Sequence, residues 1–330
     1  MPGSNVSWPI PLTRLTPFYP GQMGVPGTDS DRGLRTNSEG CIFYVDPNHV
    51  DPNDNRDGTN PDSPLNTVAA ALLKCQPYRG DVIAVMANNA WGYGNPLLGY
   101  ATPISEEVIV NVPGVRIVGV SPSAALGVVW TPASNAGVCI TVNASDVTIE
   151  GFIFTDGAFT GVNGIYALWN GTTAFGDNLT VRHCGFDECT IGIQLEFSWY
   201  CDIHDCHFYG DGSGQIGIYV DPAGSGSAFN TIWGNWFQDC EFAISMQDTD
   251  SSNITGNHIY NQVAAHGGVA ATGQGIDLTG GQENIVSHNW LSCVLPVPAV
   301  GDYDDFNTAG TDDAWINNFC MNGPTTTNPT

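Results

Sequence analysis

One internal repeat constrains this chain more than anything else in it. The stretch "NTIWGNWFQDCEFAISM" at residues 230–246 places an apolar residue, then Asn, Cys or Phe three later, then a large apolar residue two after that. The pattern fits Ile149/Phe152/Phe154, Val181/Cys184/Phe186, Ile203/Cys206/Phe208 and Ile232/Asn235/Phe237. It continues at Ile254/Asn257/Ile259, Val286/Asn289/Leu291 and Ile316/Phe319/Met321, with Ile117 opening the series. A second series interleaves with it: Gly164-Ile165, Gly192-Ile193, Gly217-Ile218, Ala243-Ile244 and Gly275-Ile276. Two ladders sharing one variable period of 22 to 32 residues indicate a stacked repeat.

The period is too irregular for a helical solenoid, and each segment alternates with period two. Short strands ending in Gly or Asn, joined by loops of unequal length, predict a parallel β-solenoid. Eight rungs from Ile117 to Ile316 would span about 34 Å. Ile and Val should stack inside. Asn235, Asn257 and Asn289 should form an amide ladder at a turn, each side chain bonding the next. Cys184 and Cys206 take one ladder position on successive rungs, as stacked free thiols rather than a disulfide.

Composition agrees with an all-β chain. Val, Ile, Thr, Asn and Gly dominate its 330 residues, with 40 Gly, and 42% of the chain is hydrophobic. Lys plus Arg is 8 against 33 Asp plus Glu, a net charge of −25, and Lys74 is the single lysine. Such a chain repels phosphate backbones, so nucleic acid is not an expected partner. No apolar run is long enough to cross a membrane, and the N-terminus lacks a basic start followed by an apolar run, so no export signal is expected. The ten cysteines show no zinc-site spacing. No metal and no cofactor are expected. Asp51, Asn53, Asn55 and Asp57 resemble a calcium loop, but Arg56 stands where glycine is needed, so turns closed by Asx side chains are the reading.

A solenoid needs its ends covered. The expected N-terminal cap is "SPLNTVAAALLKC", residues 63–75, with Asn66 or Ser63 starting a helix and Val68, Leu72 and Cys75 on one face. The organisation reads as an extended Pro-rich arm over 1–40, a cap over 41–80, the coil over 81–321 and a tail over 322–330.

"FYVDPNHVDPNDNRDGTNPDSPLNTVAAAL", together with the Ile-x-x-Asn-x-Phe rungs, resembles the opening of the pectin-lyase-like right-handed parallel β-helix family. The resemblance covers residues 41–321. It implies the fold and not one function, since the family holds lyases, glycosidases, epimerases and inert viral proteins. Lyase members use a basic residue to remove a proton, often beside calcium held by carboxylates, and here only Arg116 and Arg182 lie on the coil. Hydrolytic members resembling polygalacturonase carry Asn-x-Asp, Asp-Asp, Gly-His-Gly and Arg-x-Lys. None of these appears in sequential rungs: "AHGGV" at His266 is not Gly-His-Gly, and Asp304-Asp305 and Asp312-Asp313 fall in a late segment.

The remaining acid cluster is "CDIHDC", with Asp202, His204 and Asp205, expected near Glu196 and Asp221. Two of these carboxylates could run inverting glycoside hydrolysis if spaced about 6.5–9.5 Å apart; an acidic coil also needs such residues simply to solvate its face. Trp169, Trp199, Tyr200, Tyr219 and Trp233 alternate outward, as glycan or subunit contacts. The arm carries Pro2, Pro9, Pro11, Pro17, Pro20 and Pro26, and so cannot pack as regular structure. It also holds Trp8, Ile10, Leu12, Arg14, Leu15, Phe18 and Tyr19, the residues expected to anchor it along a partner.

A capped β-helix lacking catalytic motifs, with an apolar-basic arm, is similar to bacteriophage head-decoration proteins and tailspikes, commonly homotrimers. The expectation is a non-enzymatic decoration or cement protein on the virion surface, bound to the major capsid protein or another virion protein. The alternative is a tailspike that binds or cleaves a host polysaccharide as a glycoside hydrolase or lyase.

Overall fold

The computed structural model describes residues 40–86, 103–120, 128–157, 159–168, 176–210, 214–221, 226–261, 274–293, 306–308 and 313–320. The predicted arm over 1–40, up to residue 39, and the tail over 322–330, with Trp169, Met321 and Asp304-Asp305, lie outside them. Every pairing between strands is parallel, and each strand pairs with its counterparts one rung before and after. The described strands form sheets of ten, nine and eight. The ten-stranded sheet runs from Ile42–Val45 through Thr180–Arg182, Asp202–His204, Thr231–Trp233 and Asn253–Thr255 to Ala314–Ile316. The nine-stranded sheet includes Gly185–Asp187, His207–Tyr209, Trp236–Gln238, His258–Asn261 and Trp290–Cys293. The eight-stranded sheet includes Asn163–Ala167, Ile191–Glu196, Ile216–Asp221 and Phe242–Gln247.

The two sequence ladders are the inward columns of these sheets. Ile117, Ile149, Val181, Ile203, Ile232, Ile254 and Val286 pair in register and are all 0% exposed. Ile165, Ile193, Ile218, Ile244 and Ile276 form the column of the eight-stranded sheet. Phe154, Phe186, Phe208 and Phe237 stack face to face at 5.2, 4.7 and 4.6 Å. Each fully buried ring contributes about 1.5–3 kcal/mol by leaving water. The glycines of the second ladder exist for these rings. A Cβ on Gly164, Gly192 or Gly217 would stand 2.7 Å from the ring of Phe186, Phe208 or Phe237.

The amide ladder forms as expected and extends one rung further, to Asn318. Asn235, Asn257 and Asn289 each donate Nδ2 to the Oδ1 of the next Asn at 3.0–3.1 Å. Each Oδ1 also takes the backbone N–H of the preceding ladder residue, and each Nδ2 reaches a strand carbonyl. A second ladder, not foreseen, turns the opposite corner: Asn230, Ser252, Asn284 and Asp313 accept the backbone N–H of the rung before. Asp313 is therefore a turn residue. Cys184 and Cys206 are buried free thiols in this column, as expected; the Cys206 thiol reaches the Val181 and His204 carbonyls.

The last rung departs from the expected register by one residue. Val286 pairs with Trp315 and Leu291 with Cys320, so the last rung aligns on Trp315, Asn318 and Cys320 and not on Ile316, Phe319 and Met321. Ile316 and Phe319 point out, 45% and 50% exposed.

The cap helix is Val68–Leu72, shorter than the 63–75 expected, and Thr67 caps it rather than Asn66 or Ser63. Thr67 takes the Ala70 N–H, while Glu106 takes those of Val68 and Ala69. Val68, Ala71, Leu72 and Cys75 are buried against the first rungs. In the loop before the helix, Asn55 N–H bonds Asn53 Oδ1 and Thr59 N–H bonds Asp57 Oδ1. These are Asx turns, as the Arg56 position predicts, and Arg56 itself pairs with Asp51.

Candidate functional site

The outer face of the ten-stranded sheet carries the densest chemistry. Inward Val181, Ile203 and Ile232 force their neighbours outward, so Arg182, His204 and Trp233 make one outer column, with Glu150 before them. Thr180, Asp202, Thr231 and Asn253 make the parallel outer column. At the corner beyond, His183 and Asp205 have positive φ, where later rungs place Gly234 and Gly256.

Glu150 lies between Arg116 at 2.6 Å and Arg182 at 2.5 Å. Burial pushes its pKa up, but the two guanidiniums outweigh this and hold it below the ordinary range. His204 is 9% exposed. Its Nδ1 lies 3.0 Å from Asp205 Oδ2 and its Nε2 4.0 Å from Asp202 Oδ2. Trp233 lies flat on the imidazole, centroids 4.5 Å apart and planes 9° apart, and donates its indole N–H to Asp202 Oδ1 at 2.9 Å. His183 Nε2 is 3.7 Å from Asp205; burial lowers its pKa although Asp205 and Glu150 pull it up.

Glu196 and Asp221 do not join this cluster, contrary to expectation. They pair with each other in register on the eight-stranded sheet. The chain turns a corner between Glu196 and Asp202, so six residues of separation carry the side chains onto different faces. Glu196 accepts the Tyr166 hydroxyl, and Asp221 accepts Gln194 Nε2 at 3.3 Å. Tyr219 lies on this same face; burial, then Asp221, raises its pKa. Trp199 and Tyr200 occupy the corner, 40% and 55% exposed, and Tyr200 stacks on Phe229 at 5.1 Å.

A histidine–tryptophan column on the nine-stranded sheet escaped the sequence reading. His207, Trp236, His258 and Trp290 are in register, and His258 stacks on Trp290 at 4.1 Å. Burial lowers the His207 pKa to about 4 and also lowers that of His258. Trp236 Nε1 and His258 Nε2 are buried without a hydrogen-bond partner among the described residues. Beside them Asp187 has its pKa raised to about 6 by burial, then by Glu188 and Asp156. The signal was present in "CHFYG", "NWFQD", "NHIYN" and "NWLSC", each with an aromatic or His right after the Cys/Asn column. Among the described residues no group of three or more His, Cys, Asp and Glu side chains converges as a metal site.

The family described as right-handed beta helix region matches residues 128–291. Three parallel sheets wound rung upon rung from Ile42 to Cys320 carry the same coil beyond that segment in both directions. The chain is a right-handed parallel β-helix. Among solved structures, this β-helix is similar to the GH136 lacto-N-biosidase from Eubacterium ramulus, at 12% identity and a TM-score of 0.55, covering 85% of this chain and 56% of that one. It thus spans little more than half the length of that relative. It also matches the pectin methylesterase from Aspergillus niger, at 12% identity and a TM-score of 0.45, covering 88% and 89%. A further match is open reading frame 18 of Geobacillus virus E2, at 12% identity and a TM-score of 0.39, covering 85% and 62%. At these identities the likeness is one of fold. No curated protein matches the sequence.

Proposed function

We propose that this β-helix is a non-catalytic structural component of a bacteriophage particle, a head decoration or cement protein held to the major capsid protein or another virion protein by its arm. In this reading Trp8, Ile10, Leu12, Arg14, Leu15, Phe18 and Tyr19 make the anchor, the copies assemble as a homotrimer, and the acidic coil faces solvent on the virion surface. One observation carries the non-catalytic half: each carboxylate in a candidate catalytic position is engaged in holding a neighbour. Asp202 fixes Trp233, Asp205 fixes His204, and Glu196 fixes Tyr166. Both nitrogens of His204 face carboxylates of its own surface. Glycoside hydrolysis requires an acid and a base facing one substrate, and Glu196 lies on a different sheet from Asp202. The anchoring half rests on the sequence of the arm.

Co-sedimentation with the parent particle tests the anchor. Removing residues 1–40 is expected to abolish particle binding while the circular dichroism of the coil stays β. Retained binding would overturn the anchoring role. For the non-catalytic half, release of reducing ends from host polysaccharide that is lost in Asp202→Asn or Asp205→Asn would overturn it.

A further inference from the structure

We infer that the outer face of the ten-stranded sheet carries a binding shelf for one unit of an uncharged glycan, built on Trp233. This stands apart from where on a particle the protein sits.

The indole of Trp233 is 38% exposed, yet it is fixed from three directions. One ring face lies on His204, the N–H is held by Asp202, and His204 is in turn held by Asp205. Surface tryptophans have no need of this; a ring pinned by two carboxylates and an imidazole is preorganised to present its other face. That other face looks toward the next rung, where the in-register residue is the short Thr255. The rung after brings Ser287, then Ile316. Ser287 donates to Thr255 Oγ1 at 3.0 Å, so the two short side chains lie bonded to each other beyond the indole. The indole face therefore overlooks at least two rungs of small polar residues, about 10 Å of sheet, room for one pyranose ring stacked on the tryptophan.

The flanks suit the same occupant. On the corner side the chain carries Gly234 and Gly256, where other rungs carry His183, Asp205 and His288. A Cβ on Gly256 would meet nothing within 4 Å, so the shelf opens on that side. On the opposite side Thr231 and Asn253 lie in register, and neither side chain bonds another described residue. An aromatic face with hydroxyl and amide groups beside it matches a sugar, whose C–H face is apolar and whose rim is polar. The Asp202 carboxylate at the indole edge and the net charge of −25 disfavour uronic acids and phosphorylated glycans.

The test uses the full chain with uncharged hexasaccharides of glucose, galactose and mannose at millimolar concentration, read by tryptophan fluorescence and saturation-transfer NMR. At least one should bind. Affinity should fall about tenfold or more in Trp233→Ala. The same loss is expected in Thr255→Leu, which fills the shelf and leaves the indole anchored, and circular dichroism confirms that each variant folds. Trp199→Ala should bind as the parent does. The proposal is overturned if no hexasaccharide binds, if binding survives both shelf variants, or if hexagalacturonate binds better than every uncharged probe.

Discussion

Asn257 donates an Nδ2 hydrogen to Asn289 Oδ1 at 3.0 Å, one rung on, and the other to the Ile232 carbonyl at 3.0 Å. Its own Oδ1 takes both the backbone N–H and the Nδ2 of Asn235. The side chain is 1% exposed and ties its own rung to the one before and the one after. Asn257→Leu keeps the volume and strands these groups. It should lower stability by about 2–5 kcal/mol, read from urea unfolding, because each buried unpaired group costs about 1–3 kcal/mol. A loss under about 0.5 kcal/mol would mean that the ladder is decorative.

The glycine column should be intolerant for a steric reason. In Gly192→Ala the new methyl would meet the Gly217 carbonyl at 2.6 Å and the Phe208 ring at 2.7 Å. Overpacking of this kind costs about 1–3 kcal/mol. Gly256→Ala is the control: its φ of +63° brings strain, about 1 kcal/mol, but no clash. Thermal unfolding should rank Gly192→Ala as the less stable of the two.

The register of the last rung makes neighbouring residues opposite in effect. Trp315 packs against the core, and Ile316 is exposed. Trp315→Ala should cost about 1–3 kcal/mol, less than a fully buried tryptophan would. Ile316→Lys should change stability by under about 0.5 kcal/mol. The reverse order in chemical denaturation would restore the one-residue shift.

Asp187 sets a pH dependence. Its folded pKa of about 6 lies above an unfolded value of about 3.9, so ionisation opposes folding. Its cost is absent below pH 4, grows between pH 4 and 6 and is complete above pH 6. Asp187→Asn should therefore gain up to about 3 kcal/mol at pH 8 and nothing at pH 3.5. Unfolding midpoints across this range check it; a gain that does not change with pH would show that the carboxyl titrates normally.

The coil was legible because its inward sites are copies of one environment. Ile203, Ile232 and Ile254 meet the same neighbours above and below, so one residue type recurs whatever the loop lengths between. The last rung misled because Trp315 and Ile316, like Asn318 and Phe319, are adjacent and each fits the pattern. Only pairing with Val286 and Asn289 decides between them. The outer columns obey no such rule. The contact of His204 with Trp233 joins residues 29 apart across a loop of unrelated length, and it appears only once the register is known. Glu196 was placed with Asp202 by nearness in sequence, where a corner of the coil separates them.

The most direct measurement is cryo-electron microscopy of the full chain mixed with its parent particle. A regular lattice of elongated density on the head, contacting the shell through the arm, is the predicted result. Density confined to the tail tip, or none on the particle at all, would contradict a decoration role.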